Sequence, residues 1–323
     1  MALLVCKFGG SSVADATKIK RIADKLVTRQ RAGDQVVAVV SAMGDTTDEL
    51  IDLVFRAFVQ PGDRVVVASP TFGMYGFDAE LHEATLVDVP RGEQWALDGE
   101  ALLAAARGAK VVFIASPNNP TGDPLPPALV EPLLATGALL VVDEAYVEFS
   151  HQQSLVALAA SDAPLIVLRT FSKWGGLAGL RVGYGVMPAA LVEIFMQVKQ
   201  PYNVSVAAEV AALASLEDVT LLDERACRLA GERDRMAEGL RALGWIDPAP
   251  SEANFVLCRL LRSDGVTVRE ALRRRCVFVR YFDSERLRRY IRISAGTPQD
   301  TDRLLEALAE VGREIEGREP EGE

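Results

Sequence analysis

The stretch TFSKWGGLAGLRVGYG, residues 170–185, decides how this chain is read. It puts Lys173 directly after the apolar run PLIVLRT and before a glycine-rich loop, with a second apolar run, VGYGVM, behind it. A lone lysine in such a loop is usually a solvated one, so the neighbouring stretches carry the decision. Working outward, LLVCKF, QVVAVVSA, DRVVVASP, ATLVDVP, KVVFIASP and ALLVVDEAY are β-branched apolar runs separated by helical patterns. Uninterrupted apolar runs alternating with helices predict an α/β fold with a mostly parallel central sheet and helices on both faces. Ligands of such sheets lie beyond the carboxyl ends of the strands, where the loops SPNNPTG, DEAY and SKWGG all fall.

Composition narrows the function classes. The chain has 323 residues, 49% hydrophobic and 25% charged, enough to bury a sizeable core. A net charge of -10, with no basic block interleaved with aromatics and RRR at 273–275 short enough to be a solvated helix face, argues against nucleic acid as a partner. The N-terminus lacks a basic leader and no apolar run approaches a membrane span, which predicts a cytoplasmic protein with no membrane partner. Cys6, Cys227, Cys258 and Cys276 show no paired spacing and only His82 and His151 supply imidazoles, so neither a metal site nor a disulfide framework is expected. Cys258 and Cys276 read as core residues in apolar strands, and His82 as a surface residue. Beyond Pro201 the pattern changes to long charged helices near 221–243, strands NFVLCRL, CVFVR and YIRIS, and a closing helix over 301–315. This predicts three units: residues 1–50, a large domain over 51–205 and a smaller α+β domain over 206–323.

These three loops, with PTFGMY and Arg181, carry the groups that pyridoxal 5'-phosphate requires. Lys173 supplies the amine for the cofactor aldehyde. Asp143, at a strand end, supplies the carboxylate for the ring nitrogen. Asn119 and Tyr146 supply donors for the ring oxygen, and Phe72 of PTFGMY an aromatic face. Ser172, Arg181 and a helix N-terminus supply a phosphate site. Each match alone is weak, but the set in this order is specific.

Residues 61–315 resemble the fold-type I PLP-dependent aminotransferases, most closely their histidinol-phosphate branch. The resemblance rests on PTFGMY, SPNNPTG, VVDEAY, TFSKWGGLAGLRVGYG, QPYNVS, SEANFVL and YIRISAGT. It implies that Lys173, Asp143 and Tyr146 are catalytic and that Phe72, Asn119, Ser172 and Arg181 bind the cofactor. Arg292 of YIRIS and Arg280 of VFVRYF are implied as substrate anion anchors, assisted by Asn119. The implied reaction moves an amino group from histidinol phosphate to 2-oxoglutarate, giving imidazole-acetol phosphate and glutamate in histidine biosynthesis, with a homodimer as the working form.

The first 50 residues read differently. LVCKFGGSSVAD and QVVAVVSAMGDTTDELI resemble the start of aspartokinases, where the Lys7 to Ser12 loop meets phosphates. The later acidic and nucleotide motifs are missing, so kinase activity is not expected. The turn GDTTDEL opens a helix that presents the backbone N–H groups of Thr47 and Asp48 to a cofactor phosphate, and Leu50, Leu53, Val54, Ala57 and Phe58 read as its apolar face. Two alternatives stay open. One is a PLP-dependent decarboxylase of the threonine-phosphate type; the other is a catalytically impaired fusion of aspartokinase and aminotransferase fragments, with its seam at DELI.

Overall fold

The computed structural model describes residues 3–8, 35–40, 46–201 and 204–317; for 3–8, 35–40 and 46–48 the description covers the backbone alone. Strands β1 (Leu3–Phe8) and β2 (Gln35–Val40) pair in parallel, Leu3 opposite Gln35 through Phe8 opposite Val40, as a two-stranded sheet of their own.

Six strands form the central sheet: β3 (Arg64–Val67), β4 (Thr85–Asp88), β5 (Val111–Ala115), β6 (Leu139–Asp143), β7 (Leu165–Thr170) and β8 (Gly183–Val186). Their order is β4-β3-β5-β6-β7-β8, and only β8 runs antiparallel to its neighbour. In the inner strands β3, β5, β6 and β7 the apolar runs are continuous because both faces are covered. On one face Val65, Val67, Phe113, Val141, Ile166 and Leu168 pack under helix α1 (Thr46–Phe58) and helix α2 (Met74–Leu81). On the other, Val66, Val112, Ile114, Leu140 and Val142 pack under α3 (Gly99–Ala106) and α4 (Pro127–Leu134). Alternate residues of each strand thus serve opposite cores.

Helix α1 lies deeper than its sequence face suggests. Ile51, Val54 and Phe55 are fully buried, while Leu50, Ala57 and Phe58 sit at the margin. Phe55 stacks between Phe113 (5.4 Å) and His82 (5.5 Å), and His82 Nε2 lies 3.1 Å from Asp52 Oδ1. His82 is therefore a half-buried contact between α1 and α2 instead of a surface residue.

The remaining helices include α5 (Val156–Ala159), α6 (Ala189–Val198), α7 (Val206–Glu217) and α8 (Val219–Ala242). After them come β9 (Ile246–Pro248), β10 (Phe255–Leu260), α9 (Gly265–Arg274), β11 (Arg280–Tyr281), β12 (Tyr290–Ser294) and α10 (Pro298–Glu316). The four strands form an antiparallel sheet, β11-β12-β10-β9. Leu240, Trp245, Val256, Cys258, Ile291, Ile293 and Leu308 fill the core between this sheet and its helices. Helix α10 starts earlier than expected because Thr297 and Asp300 form a capping box ahead of Pro298. CVFVR is mostly not a strand, since only Arg280 and Tyr281 pair. Cys276 is exposed with a left-handed φ of 56° at the end of α9, so it stops that helix and does not join the core. The RRR cluster closes α9: Arg273 and Arg274 are exposed, and Arg275 pairs with Glu310 (2.9 Å) and Glu314 on α10.

Backbone-directed contacts hold this second sheet against the loops of the first. Glu252 N donates to Gly122 O (2.8 Å), and buried Arg233 donates to the carbonyls of Phe149 (3.3 Å) and Ala253 (3.1 Å). Arg286 donates to Ser69 O (3.1 Å) and Arg91 O (2.6 Å). Gly122 meets two demands at once: its φ is +84°, and a Cβ there would lie 2.2 Å from Ser251 Oγ.

Candidate functional site

The strand order reverses between β3 and β5, and the loops after β5, β6 and β7 converge on one cavity of about 250 Å³. Phe72, Asn119, Asp143, Tyr146, Ser172, Lys173, Arg181 and Arg292 all line it. Residues spread over more than two hundred positions meet there because parallel strands deliver their loops to one edge.

Asp143 is the last residue of β6 and is only 5% exposed. Its Oδ1 accepts from Ala145 N–H (3.0 Å) and its Oδ2 from the Tyr75 hydroxyl (2.9 Å). The next residue, Glu144, turns away from the cavity, accepting from Leu155 N–H (2.7 Å) and pairing with Arg169. Burial pushes the Glu144 carboxyl above the usual range, against the lowering effects of Ser154, Leu155 and Arg169. Of the two carboxylates in DEAY, only Asp143 therefore faces the cavity.

Lys173 follows β7 and is exposed, with Nζ 5.8 Å from the centre of the Tyr146 ring. Tyr146 is 8% exposed and meets Phe255 edge-on at 5.0 Å. Burial raises the Tyr146 phenol above its ordinary value, partly offset by the charge of Arg292, so it acts as a neutral donor near pH 7. Arg181 adopts a left-handed conformation, φ 54° and ψ 58°, that directs its Nη1 toward Ser172 Oγ at 3.5 Å. A hydroxyl and a guanidinium thus meet at one end of the cavity.

Arg292 comes from the other sheet. Its guanidinium lies 4.6 Å from the Phe255 ring centre and 5.7 Å from that of Phe282, and its Nη1 donates to Asn119 Oδ1. Its Nε is buried without a hydrogen-bond partner, and burial lowers its pKa. Arg280 stands directly opposite Arg292 in the β11–β12 register. It does not line the 250 Å³ cavity but opens onto two adjoining cavities, one of which also takes in Arg292. Two like charges facing each other across a strand pair cost stability unless an anion joins them.

For Thr47 and Asp48 the structure gives the first turn of α1, while their side chains lie outside the described residues. Sequence reasoning missed Tyr75, whose hydroxyl reaches across 68 positions to Asp143, and the rings of Phe255 and Phe282 around Arg292. Trp174, the neighbour of Lys173, lies against Phe171 (5.9 Å) and donates to Asp223 (3.0 Å). Among the described residues no group of acidic, cysteine or histidine side chains could hold a metal, and no helix is long and apolar enough to cross a membrane.

The residues present suit pyridoxal 5'-phosphate. The cavity has an amine at its mouth, a buried carboxylate on its floor, a phenol and an amide along one side, a hydroxyl–guanidinium pair at one end and the Phe72 ring as a wall.

The chain is similar to known proteins over most of its length. The histidinol-phosphate aminotransferase of Roseiflexus castenholzii is 48% identical over 276 residues, covering 83% of this chain and 73% of that protein. That of Dehalococcoides mccartyi is 41% identical over 270 residues, covering 83% and 75%. The crystal structure of histidinol-phosphate aminotransferase from Sinorhizobium meliloti in complex with pyridoxal-5'-phosphate superposes with a TM-score of 0.74 at 31% identity, over 85% of this chain and 77% of that one. The family described as aminotransferase class I and II matches residues 10–308, starting inside the segment that resembles aspartokinases and lending that resemblance no support. With most of its length matched by that family and its relatives, the chain belongs to the class I and II aminotransferases.

Proposed function

We propose that this chain transfers the amino group of histidinol phosphate to 2-oxoglutarate. The observation that carries the reading is Lys173 and Asp143 on one cavity, next to an arginine pair suited to a phosphate or carboxylate. Pyridoxal phosphate bound there supplies an aldehyde that takes up the amine and a ring that withdraws electrons from the breaking Cα–H bond.

The protein's own groups do the rest. Asp143 faces the ring nitrogen, and Asn119 and Tyr146 donate to the ring oxygen. Ser172, Arg181 and the N–H groups of Thr47 and Asp48 hold the phosphate. Phe72 covers one ring face. Lys173 Nζ would take the proton from substrate Cα and deliver it to the carbon on the far side of the transferred nitrogen, acting as base and then as acid. Arg292 and Arg280 grip the substrate anion, with Asn119 holding the Arg292 fork in place. In this reading residues 51–205 provide the cofactor floor and 206–323 the anion anchor, in a cytoplasmic enzyme of histidine biosynthesis.

The test is product analysis with purified protein, pyridoxal phosphate, histidinol phosphate and 2-oxoglutarate. Glutamate and imidazole-acetol phosphate are expected in equal amounts. Carbon dioxide released from threonine phosphate, with no glutamate, would establish the decarboxylase instead. A protein that takes up no cofactor would fit the impaired-fusion reading.

The working form in this reading is a homodimer. Val206, Val210 and Leu213 are 53%, 60% and 57% exposed along α7, with Met196 at 60% on α6. A stripe at helical spacing so open to water calls for a cover. Sedimentation equilibrium is expected to give twice the chain mass, and Val210→Glu to lower it toward one. A monomeric wild type overturns the assignment. The aspartokinase-like reading of residues 1–50 rests on KFGGSS and VVSAMG alone; formation of aspartyl phosphate from ATP and aspartate is the assay for it, and none is expected.

A further inference from the structure

Tyr75 is among the largest fully buried side chains, yet the cavity lining does not include it. It sits in the first turn of α2, three residues after Phe72. Its ring lies parallel to Phe113 of β5 (5.0 Å, 15°) and edge-on to Phe72 (5.8 Å, 82°). Its hydroxyl donates to Asp143 Oδ2 at 2.9 Å, while Ala145 N–H holds Oδ1 at 3.0 Å. The carboxylate is thus fixed through both oxygens, one by a side chain and one by backbone. The same tyrosine backs the aromatic wall of the cavity. A phenylalanine would fill the space between Phe72 and Phe113 equally well, so packing does not account for the hydroxyl.

We propose that Tyr75 is a positioning residue that holds the Asp143 carboxylate in line for the ring nitrogen of the cofactor. This rests on the cofactor site proposed above. Tyr75 touches no substrate. It limits the rotation of a carboxylate whose value lies in its direction, because hydrogen bonds to charged groups are strong only when well aligned. The ring contact with Phe72 couples that direction to the position of the aromatic wall.

The simple alternative is that a buried phenol takes whichever acceptor is nearest, with no consequence for the cofactor. The two are separated by titrating the apo forms of wild type and Tyr75→Phe with two probes. One is pyridoxal 5'-phosphate; the other is its 1-deaza analogue, with carbon in place of the ring nitrogen. The inference expects Tyr75→Phe to weaken binding of the phosphate cofactor about tenfold, the scale of one hydrogen bond to a charged group. Binding of the 1-deaza analogue, which offers Asp143 nothing to meet, stays within about twofold. In an Asp143→Asn background, Tyr75→Phe makes no further difference to either probe.

Equal weakening toward both probes would mean a packing defect and would overturn the inference, as would unchanged binding of the natural cofactor. The apo thermal midpoint checks that Tyr75→Phe folds. If it does not, Tyr75→Leu, which fits within the same space and cannot donate, is titrated with the same pair, and equal weakening again overturns the inference. Wild type that binds both probes equally would remove the Asp143 assignment itself, whereas wild type that prefers the natural cofactor, with Tyr75→Phe showing the same preference, would remove only the role of Tyr75.

Discussion

Lys173→Ala is expected to lower the transamination rate by at least about a thousandfold and to abolish the visible absorbance of the cofactor–lysine linkage. The reason is the scarcity of bases in the right place. Asp143 is engaged at the floor by Tyr75 and Ala145, and Tyr146 is held neutral by burial. Neither can shuttle a proton between the two carbons that flank the transferred nitrogen. Lys173 is an exposed residue of a loop, outside every hydrophobic cluster, so the variant is expected to keep the thermal midpoint of wild type within a few degrees. Methylamine added to the variant is expected to restore part of the rate, because a free amine can enter the space the side chain leaves. Retention of more than a tenth of the wild-type rate without added amine would remove Lys173 from the chemistry.

Arg292→Ala carries the second large effect. Truncating a desolvated charged group that meets an opposite charge costs about 2–5 kcal/mol, roughly a thirty- to several-thousandfold loss in kcat/KM for histidinol phosphate. The structure argues for the upper part of that range. The guanidinium lies against the rings of Phe255 and Phe282, and its Nε is buried without a hydrogen-bond partner. Such a group is already desolvated and presents a donor that an anion can satisfy. Asn119, which accepts from Arg292, loses its support at the same time. Cofactor absorbance should be unchanged in Arg292→Ala, separating anchoring from chemistry. Arg292→Lys keeps the charge but not the planar fork and is expected to recover only part of the loss. Unchanged KM values for both substrates would overturn the assignment.

Legibility in the sequence followed the range of the interactions. Strands β3, β5, β6 and β7 could be read because burial on two faces leaves a local mark, an unbroken apolar run. The convergence of Asn119, Asp143, Tyr146, Ser172 and Lys173 on one cavity could be read because each sits at or just past the end of such a run, and parallel strands bring those positions together without further information. Tyr75 could not, since nothing near it in sequence names its acceptor; the pairing exists only once β5, β6 and α2 are stacked. The opposition of Arg280 and Arg292 depends on the β11–β12 register, which the short pairing of Arg280 and Tyr281 leaves without an alternating pattern to mark it. Cys276 misled because its apolar neighbours suggested a strand, whereas its left-handed backbone ends a helix. For α1, apolar residues cover more than one helical stripe, so the pattern alone did not reveal that Ile51 and Phe55 point deepest.

The contacts of Glu252 with Gly122, of Arg233 with Phe149 and of Arg286 with Ser69 and Arg91 have a bearing on substrate choice. The carboxylate floor belongs to one sheet and the guanidinium anchor to the other, so these three ties set the distance between them. They make the gap a caliper. A substrate whose anion lies a bond too near or too far must either forgo Arg292 or pry the jaws apart, and the width of the caliper selects by molecular length before any chemistry begins.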